Sequence, residues 1–287
     1  VAAMGSERAA RMILACSVLL AASGGVRAEE GVGPWVSGDE AELRLVSAVS
    51  AVAPGAGTVP LALHMRLAEG WRIYWRTPGA SGLPPQLDWS GSDNLEAVAM
   101  AWPAPVRFVF FGQESYGYRG EVLFPLAAQL VRPGEAAEFR LMVMYLVCRE
   151  VCIPGESELA LDLAAGAPRP TTAAAEIARH AARLPAPAAS RGVSIRAIAE
   201  PQGLAVIAAA REAFAAPDLF LEWQIAPGHR RPDLPRPALS LAEGGREATF
   251  RLGLHPPLVR PGTPLRVTLV DGAAAVEADV TVEPALP

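Results

Sequence analysis

The sequence predicts an all-β chain built as two β-sandwich domains joined by a short helical, proline-rich linker. Three observations carry that prediction. Apolar residues recur mostly with the two-residue period of half-buried strands rather than the 3.6-residue period of helices. Gly, Pro, Asn, Asp and Ser punctuate these runs at short intervals, as turns require. Between Ala164 and Ser190 the composition shifts to Ala, Pro and Thr, which separates one set of strand candidates from another.

Residues 1–28 read as a secretory signal peptide. Arg8 and Arg11 precede an apolar run from Met12 to Ala22, and Val26-Arg27-Ala28 closes the segment ahead of a cut after Ala28. Too few apolar residues precede Cys16 for a lipidation signal, so Cys16 is lost with the peptide. No later stretch reaches the ~18 uninterrupted apolar residues of a membrane span. The expectation is a periplasmic protein with no membrane insertion.

The first domain is expected over residues 29–165. Its strands are Ala41–Val52, Val59–Leu67, Trp71–Trp75, Val106–Phe111, Val122–Leu130, Phe139–Leu146 and Leu159–Leu163, a number and spacing that suit a sandwich. Residues 166–190 form the linker, where prolines at 168, 170, 185 and 187 bracket Ile177, Ala181 and Leu184. Those three share one helical face, so a short helix belongs there, capped by Thr171 or Thr172. The second domain, 191–287, has strands at Val193–Ile198, Leu204–Ala209, Leu219–Trp223, Ala238–Leu241, Thr249–Leu254, Leu265–Val270 and Val276–Val282. It contains no cysteine.

Composition narrows the chemistry. Hydrophobic residues make up 51% and charged residues 19% of the chain, far from the signature of disorder. Loss of the leader removes three arginines and one glutamate, taking the formal charge from −5 to −7. That acidic balance argues against nucleic acid as a partner. All 25 basic residues are arginine, which excludes mechanisms that run through lysine. The four histidines, His64, His180, His229 and His255, lack metal-ligand spacing. His64 and Met65 are strand neighbours, so one is expected exposed and one packed. No nucleophile elbow, paired carboxylates or phosphate loop is visible, and no cofactor or metal is expected.

What remains is Tyr145-Leu146-Val147-Cys148-Arg149-Glu150-Val151-Cys152-Ile153-Pro154-Gly155. In a continuous strand the two cysteine Cα atoms would lie about 13 Å apart at ~3.3 Å per residue, against roughly 4.4 to 6.8 Å for a disulfide. To pair, they must flank a tight turn. The loop so closed is short, and the chain-entropy model gives it only about 2 kcal/mol of stabilisation. An exchangeable redox pair, a disulfide that fixes a turn, and a soft-metal thiolate site all stay open from spacing alone.

Several segments resemble the N-terminal periplasmic domain of the DsbD and ScsB family of thiol-disulfide interchange proteins, the ScsB-like branch most strongly. They are Trp71-Arg72-Ile73-Tyr74-Trp75-Arg76-Thr77-Pro78-Gly79-Ala80-Ser81-Gly82-Leu83-Pro84, then Trp102-Pro103-Ala104-Pro105, then Tyr116-Gly117-Tyr118 with Glu121, and the Tyr145–Gly155 segment. The resemblance implies immunoglobulin-like sandwiches and a redox role for Cys148 and Cys152, with Cys148 the first candidate for the sulfur that exchanges. It also implies a cap loop, Gln113-Glu114-Ser115-Tyr116-Gly117, in which Ser115 stands where the family has a shielding phenylalanine. Glu114, Tyr116 and Tyr118 are therefore the candidate shielding residues. The Trp71–Pro84 segment is assigned to domain architecture. The implied partners are a separate membrane-embedded or thioredoxin-like electron donor and periplasmic thiol or disulfide substrate proteins. The competing reading is a non-catalytic periplasmic binding or copper-tolerance accessory module whose disulfide is structural.

Overall fold

The computed structural model describes residues 29–223, 234–254 and 259–285. The signal-peptide reading of residues 1–28, together with His229 and His255, lies outside them. The described residues are mostly strand, in four sheets that make an all-β, immunoglobulin-like architecture.

In the first sandwich one sheet runs β1 (Val36–Ser37), β2 (Ala41–Ser47), β3 (Thr58–Leu67), β9 (Glu121–Gln129), β6 (Ala97–Met100). The facing sheet runs β11 (Cys152–Leu163), β10 (Ala137–Cys148), β4 (Arg72–Gly79), β8 (Gln113–Arg119), β7 (Val106–Phe110), with β5 (Gln86–Asp88) also paired to β10. Two-residue alternation turns Leu43 and Leu45, Leu61, Leu63 and Met65, and Phe139, Leu141 and Val143 into the space between the sheets. Each such side chain, fully buried, contributes about 1.5–3 kcal/mol.

The second set pairs β12 (Ala186–Pro187), β19 (Ala274–Thr281), β18 (Pro264–Asp271) and β15 (Pro217–Glu222) in one sheet. The other holds β13 (Ser194–Glu200), β14 (Gly203–Ala209), β17 (Glu247–Gly253) and β16 (Ala238–Ala242). Val206, Leu219, Leu221, Phe250 and Val267 fill its core.

The linker helix α1 (Ala174–Ala181) differs from expectation at its cap and its face. Ala173 is the N-cap and no side chain caps it. The Thr171 hydroxyl donates to the Ser47 carbonyl and the Thr172 hydroxyl to Glu29, so both threonines tie the segment to the first sandwich. Of the three residues on the expected apolar face only Ile177 is buried, packed with Ala173 on the outer side of β2, β3 and β9 against Val46, Ala62 and Leu123. The His64 expectation also fails. Both His64 and Met65 are buried, because Trp35 lies on the outer face of β3 with its ring 4.7 Å from that of His64.

The two sets of strands share a contact. On β15, Leu219 and Leu221 enter the second core, while Asp218, Phe220 and Glu222 point the other way. Phe220 belongs to the first sandwich's core, edge-on to Trp75 at 5.9 Å and to Tyr116 at 5.1 Å. Arg76 binds Glu222 through Nε and Nη2 and reaches Glu277, and Arg107 binds Asp218 and donates to the Leu219 carbonyl.

Candidate functional site

Pairing of β10 with β11 runs rung by rung from Ala137 opposite Leu163 to Cys148 opposite Cys152. The cysteines occupy the last rung of the hairpin, Cα atoms 4.1 Å apart and bonded through sulfur, with Arg149-Glu150-Val151 as the turn. This is the tight turn the spacing demands. The two sulfurs sit in different surroundings. Cys148 is 0% exposed, whereas Cys152 is exposed.

Val147 on the rung before belongs to the main core, so Cys148 faces the outer side of its sheet. There it shares a separate buried cluster with Tyr74, Phe108 and Phe110, and Leu146 packs against it. The Tyr74 ring lies 5.9 Å from that of Phe108, and its hydroxyl is 3.9 Å from Cys152 Sγ. Burial raises the Tyr74 pKa above its ordinary value, which keeps the phenol protonated. Gly82 approaches with φ +95°, and a Cβ there would fall 2.2 Å from the Tyr74 ring, so only glycine leaves room for that ring.

Electrostatically the cluster is rimmed by cations. Arg72, the register partner of Cys148, stacks 5.3 Å over Phe108, and Arg119 lies 5.9 Å from the same ring. Positive charge near a cysteine favours its thiolate. Arg149, in the turn itself, stacks on Trp71 at 5.2 Å.

Gln113–Tyr118 is not a loop: it lies within β8, paired to β4 on one side and β7 on the other. Strand alternation sends Tyr116 and Tyr118 to the core face, away from the disulfide. Tyr116 packs on Phe220, and Tyr118 packs on Phe124 at 5.2 Å while donating to the Pro103 carbonyl at 2.8 Å. Burial holds both phenols above their ordinary pKa. Glu114 pairs with Arg107 at 3.4 Å. None of the three belongs to the cluster around Cys148. The rings in that cluster come instead from Tyr74, inside the segment assigned to architecture, and from Phe108 and Phe110. The alternation Val106-Arg107-Phe108-Val109-Phe110 carries the signal for the latter, since it puts both rings on one face. At the hairpin tip Phe111 is 77% exposed with φ +49°, its ring 4.4 Å from that of Phe110.

Among the described residues one other group of ligand atoms converges: those of His64, Glu121 and Glu176 lie within 4.8 Å of one another. They are poor candidates for a cation. His64 Nδ1 accepts from Arg44, His64 Nε2 donates to Glu121 at 2.7 Å, and Glu121 also accepts from Arg66. Two guanidinium groups already neutralise the site.

Residues 42–164 match the family model described as thiol:disulfide interchange protein DsbD, N-terminal, and residues 183–285 match a domain of unknown function. The fold is similar to the N-terminal periplasmic domain of ScsB from Proteus mirabilis, with a TM-score of 0.69 at 20% identity over 88% of this chain and 99% of that one. The N-terminal domain of Neisseria meningitidis DsbD in the reduced form aligns over 45% of this chain and 90% of that one, at 16% identity and a TM-score of 0.26. No curated protein matches the chain. No helix among the described residues is long and apolar enough to cross a membrane. The chain carries, over residues 42–164, a DsbD/ScsB-like N-terminal domain, followed by a second β domain.

Proposed function

We propose that the chain is a periplasmic thiol-disulfide interchange protein that passes electrons through Cys148 and Cys152 between a membrane-embedded or thioredoxin-like donor and periplasmic substrate proteins. The observation that carries this reading is the unequal pair: an exposed Cys152 joined to a buried Cys148 under an aromatic cover, within the domain that matches the interchange family. Exchange needs one sulfur that a partner thiolate can reach and a second that can leave as a thiolate.

Exposure favours Cys152 as the sulfur attacked, the reverse of the order first expected from the sequence. A donor thiolate attacks Cys152 Sγ, the Cys152–Cys148 bond breaks, and Cys148 departs as a thiolate that takes up a proton. The donor's second thiolate then attacks its own sulfur in the mixed disulfide and releases Cys152 as a thiolate, which is protonated in turn. Two electrons and two protons have moved from the donor dithiol, which ends oxidised. Delivery to a substrate disulfide runs the same steps in reverse. Arg72 and Arg119 favour the thiolate forms, and the neutral Tyr74 hydroxyl is placed to donate to sulfur at Cys152.

Redox titration tests the reading, because structural disulfides lie below about −300 mV and exchangeable ones above it. The expected midpoint is above that value. In single variants, Cys148→Ser, which keeps Cys152, should react with an aromatic disulfide reagent about tenfold faster than Cys152→Ser. A midpoint below the threshold, or equal rates in the two variants, would overturn the respective claim.

A further inference from the structure

We infer that the second domain is a positioning element for the disulfide: through Asp218 and Phe220 it holds β7, and with it the Phe108–Phe110 cover, closed over Cys148. This rests on the redox reading above and assigns that site's regulation to the neighbouring domain.

The argument begins with the place of β7 in its sheet. It is an edge strand, with β8 as its only sheet neighbour among the described residues. Five backbone rungs, from Val106 opposite Gly117 to Phe110 opposite Gln113, join the two strands, and the turn at their tip is exposed. An edge hairpin with one paired side is the kind of element that opens locally. Yet its Phe108 and Phe110 are 4% and 6% exposed, packed on the cluster that buries Cys148.

What fixes the free strand lies on the opposite face. Arg107 sits between Val106 and Phe108, so its side chain leaves β7 on the side away from the cover. Its side chain is only 5% exposed. Nε and Nη2 both bond Asp218, at 3.0 and 2.9 Å, Nη2 also donates to the Leu219 carbonyl at 2.6 Å, and Nη1 reaches Tyr116 Oη at 3.3 Å. Phe220, two residues on from Asp218, lies under the same guanidinium at 5.0 Å and seats in the first core. Consecutive residues of one short strand thus bear the lock, Arg107, and the cover, Phe108. Movement of β7 far enough to uncover Cys148 must break a part-buried bidentate ion pair or withdraw an aromatic ring from a core.

The remainder of the contact around β7 is open. A crevice of about 430 Å³ lies between it and the second domain, bordered by Val106, Val109, Asp218, Val270 and Gly272. The grip is therefore concentrated at Arg107 and Phe220 rather than spread along the strand, and single substitutions there should release it. Asp218 and Phe220 touch neither sulfur; their influence passes through β7.

The test is the rate at which iodoacetamide alkylates the Cys148 thiol of the full chain carrying Cys152→Ser under native conditions, because the exposed Cys152 of the intact disulfide can be attacked whether or not β7 is closed. Asp218→Asn, which keeps side-chain volume, and Phe220→Ala should each raise the rate about tenfold, in step with a larger open fraction. Phe220→Leu, which restores an apolar plug, should return most of the protection. Arg196→Gln, whose pair with Glu283 lies elsewhere in the second domain, should leave the rate unchanged. Folded Asp218→Asn and Phe220→Ala proteins whose Cys148 is alkylated within about twofold of the rate in the Cys152→Ser parent would overturn the inference. So would an equal acceleration in Arg196→Gln. The wild-type midpoint judges the redox reading and the variant-to-parent ratio of Cys148 alkylation rates judges the lock, so either can fail while the other stands.

Discussion

His64 and Glu121 face each other across β3 and β9, and their hydrogen bonds fix which forms they take. Nδ1 accepts from Arg44 and Nε2–H donates to Glu121, so the ring is neutral; burial lowers its pKa below the ordinary histidine value. An unfolded histidine takes a proton near pH 6.5, so below that pH the unfolded chain holds a proton that the native ring refuses, and stability falls as pH falls. For Glu121, the Arg66 hydrogen bond is the chief cause of a lowered pKa, with the His64 bond adding to it. Its contribution is present above the unfolded carboxylate value and is lost as pH drops through the folded one. Both groups therefore act with the same sign. The urea midpoint of the wild type should decline from pH 7 to pH 5.5, and His64→Gln should flatten that decline. A variant whose midpoint tracks the wild type across this range would remove His64 as the cause.

At the scale of elements, what the sequence made legible was what alternates. Every expected strand is present, most of them because apolar residues at every second position have a buried face to satisfy, as Leu61, Leu63 and Met65 do on β3, although β16 is exposed along its whole length. For the cysteines, geometry made legible only the turn that pairing would demand, since four residues of extended chain cannot bring two sulfurs together without one; the redox pair rested on the family resemblance. The cap-loop reading of Gln113–Gly117 came from the family resemblance, and nothing in the pattern opposes it, since the outward positions of β8 are Ser115, Gly117 and Arg119 and no second apolar row marks a buried strand. The capping of α1 was missed because Thr171 and Thr172 find partners on the sandwich, a tertiary contact that no local pattern records. Gly117 shows how closely β8 is seated: a Cβ there would meet the Ile73 carbonyl oxygen at 2.0 Å and Tyr74 Cα at 3.0 Å. Gly117→Ala must push β8 from β4 at the rung that carries Tyr74. It should cost about 1–3 kcal/mol, the usual penalty of overpacking, read as a lower urea midpoint. An unchanged midpoint would mean that the strands part without strain.

For the whole molecule, the question is whether two sandwiches that share one aromatic ring unfold as one body. Phe220 links their cores, and Arg76 joins them a second time: its side chain is 20% exposed and bonded to Glu222 and Glu277, while Thr77 donates to Glu222 at 2.7 Å. Removing one partner of a largely buried ion pair costs about 3–5 kcal/mol, because the other charge is left uncompensated. Replacing a buried phenylalanine by alanine costs a similar amount, about 3–5 kcal/mol. Together these terms are comparable to the ~5–15 kcal/mol that holds an ordinary domain folded, so the contact is strong enough to make the two units melt together. Five of the six tryptophans, Trp35, Trp71, Trp75, Trp89 and Trp102, belong to the first sandwich, so fluorescence follows that half while far-ultraviolet dichroism follows both. In the wild type the two transitions should coincide, as cooperative unfolding requires. In the double variant Phe220→Ala, Glu222→Ala they should separate, and the two costs will not simply add, since the residues are near neighbours on one strand. Coincident transitions in the double variant would mean that the cores are coupled by something other than Phe220 and Glu222.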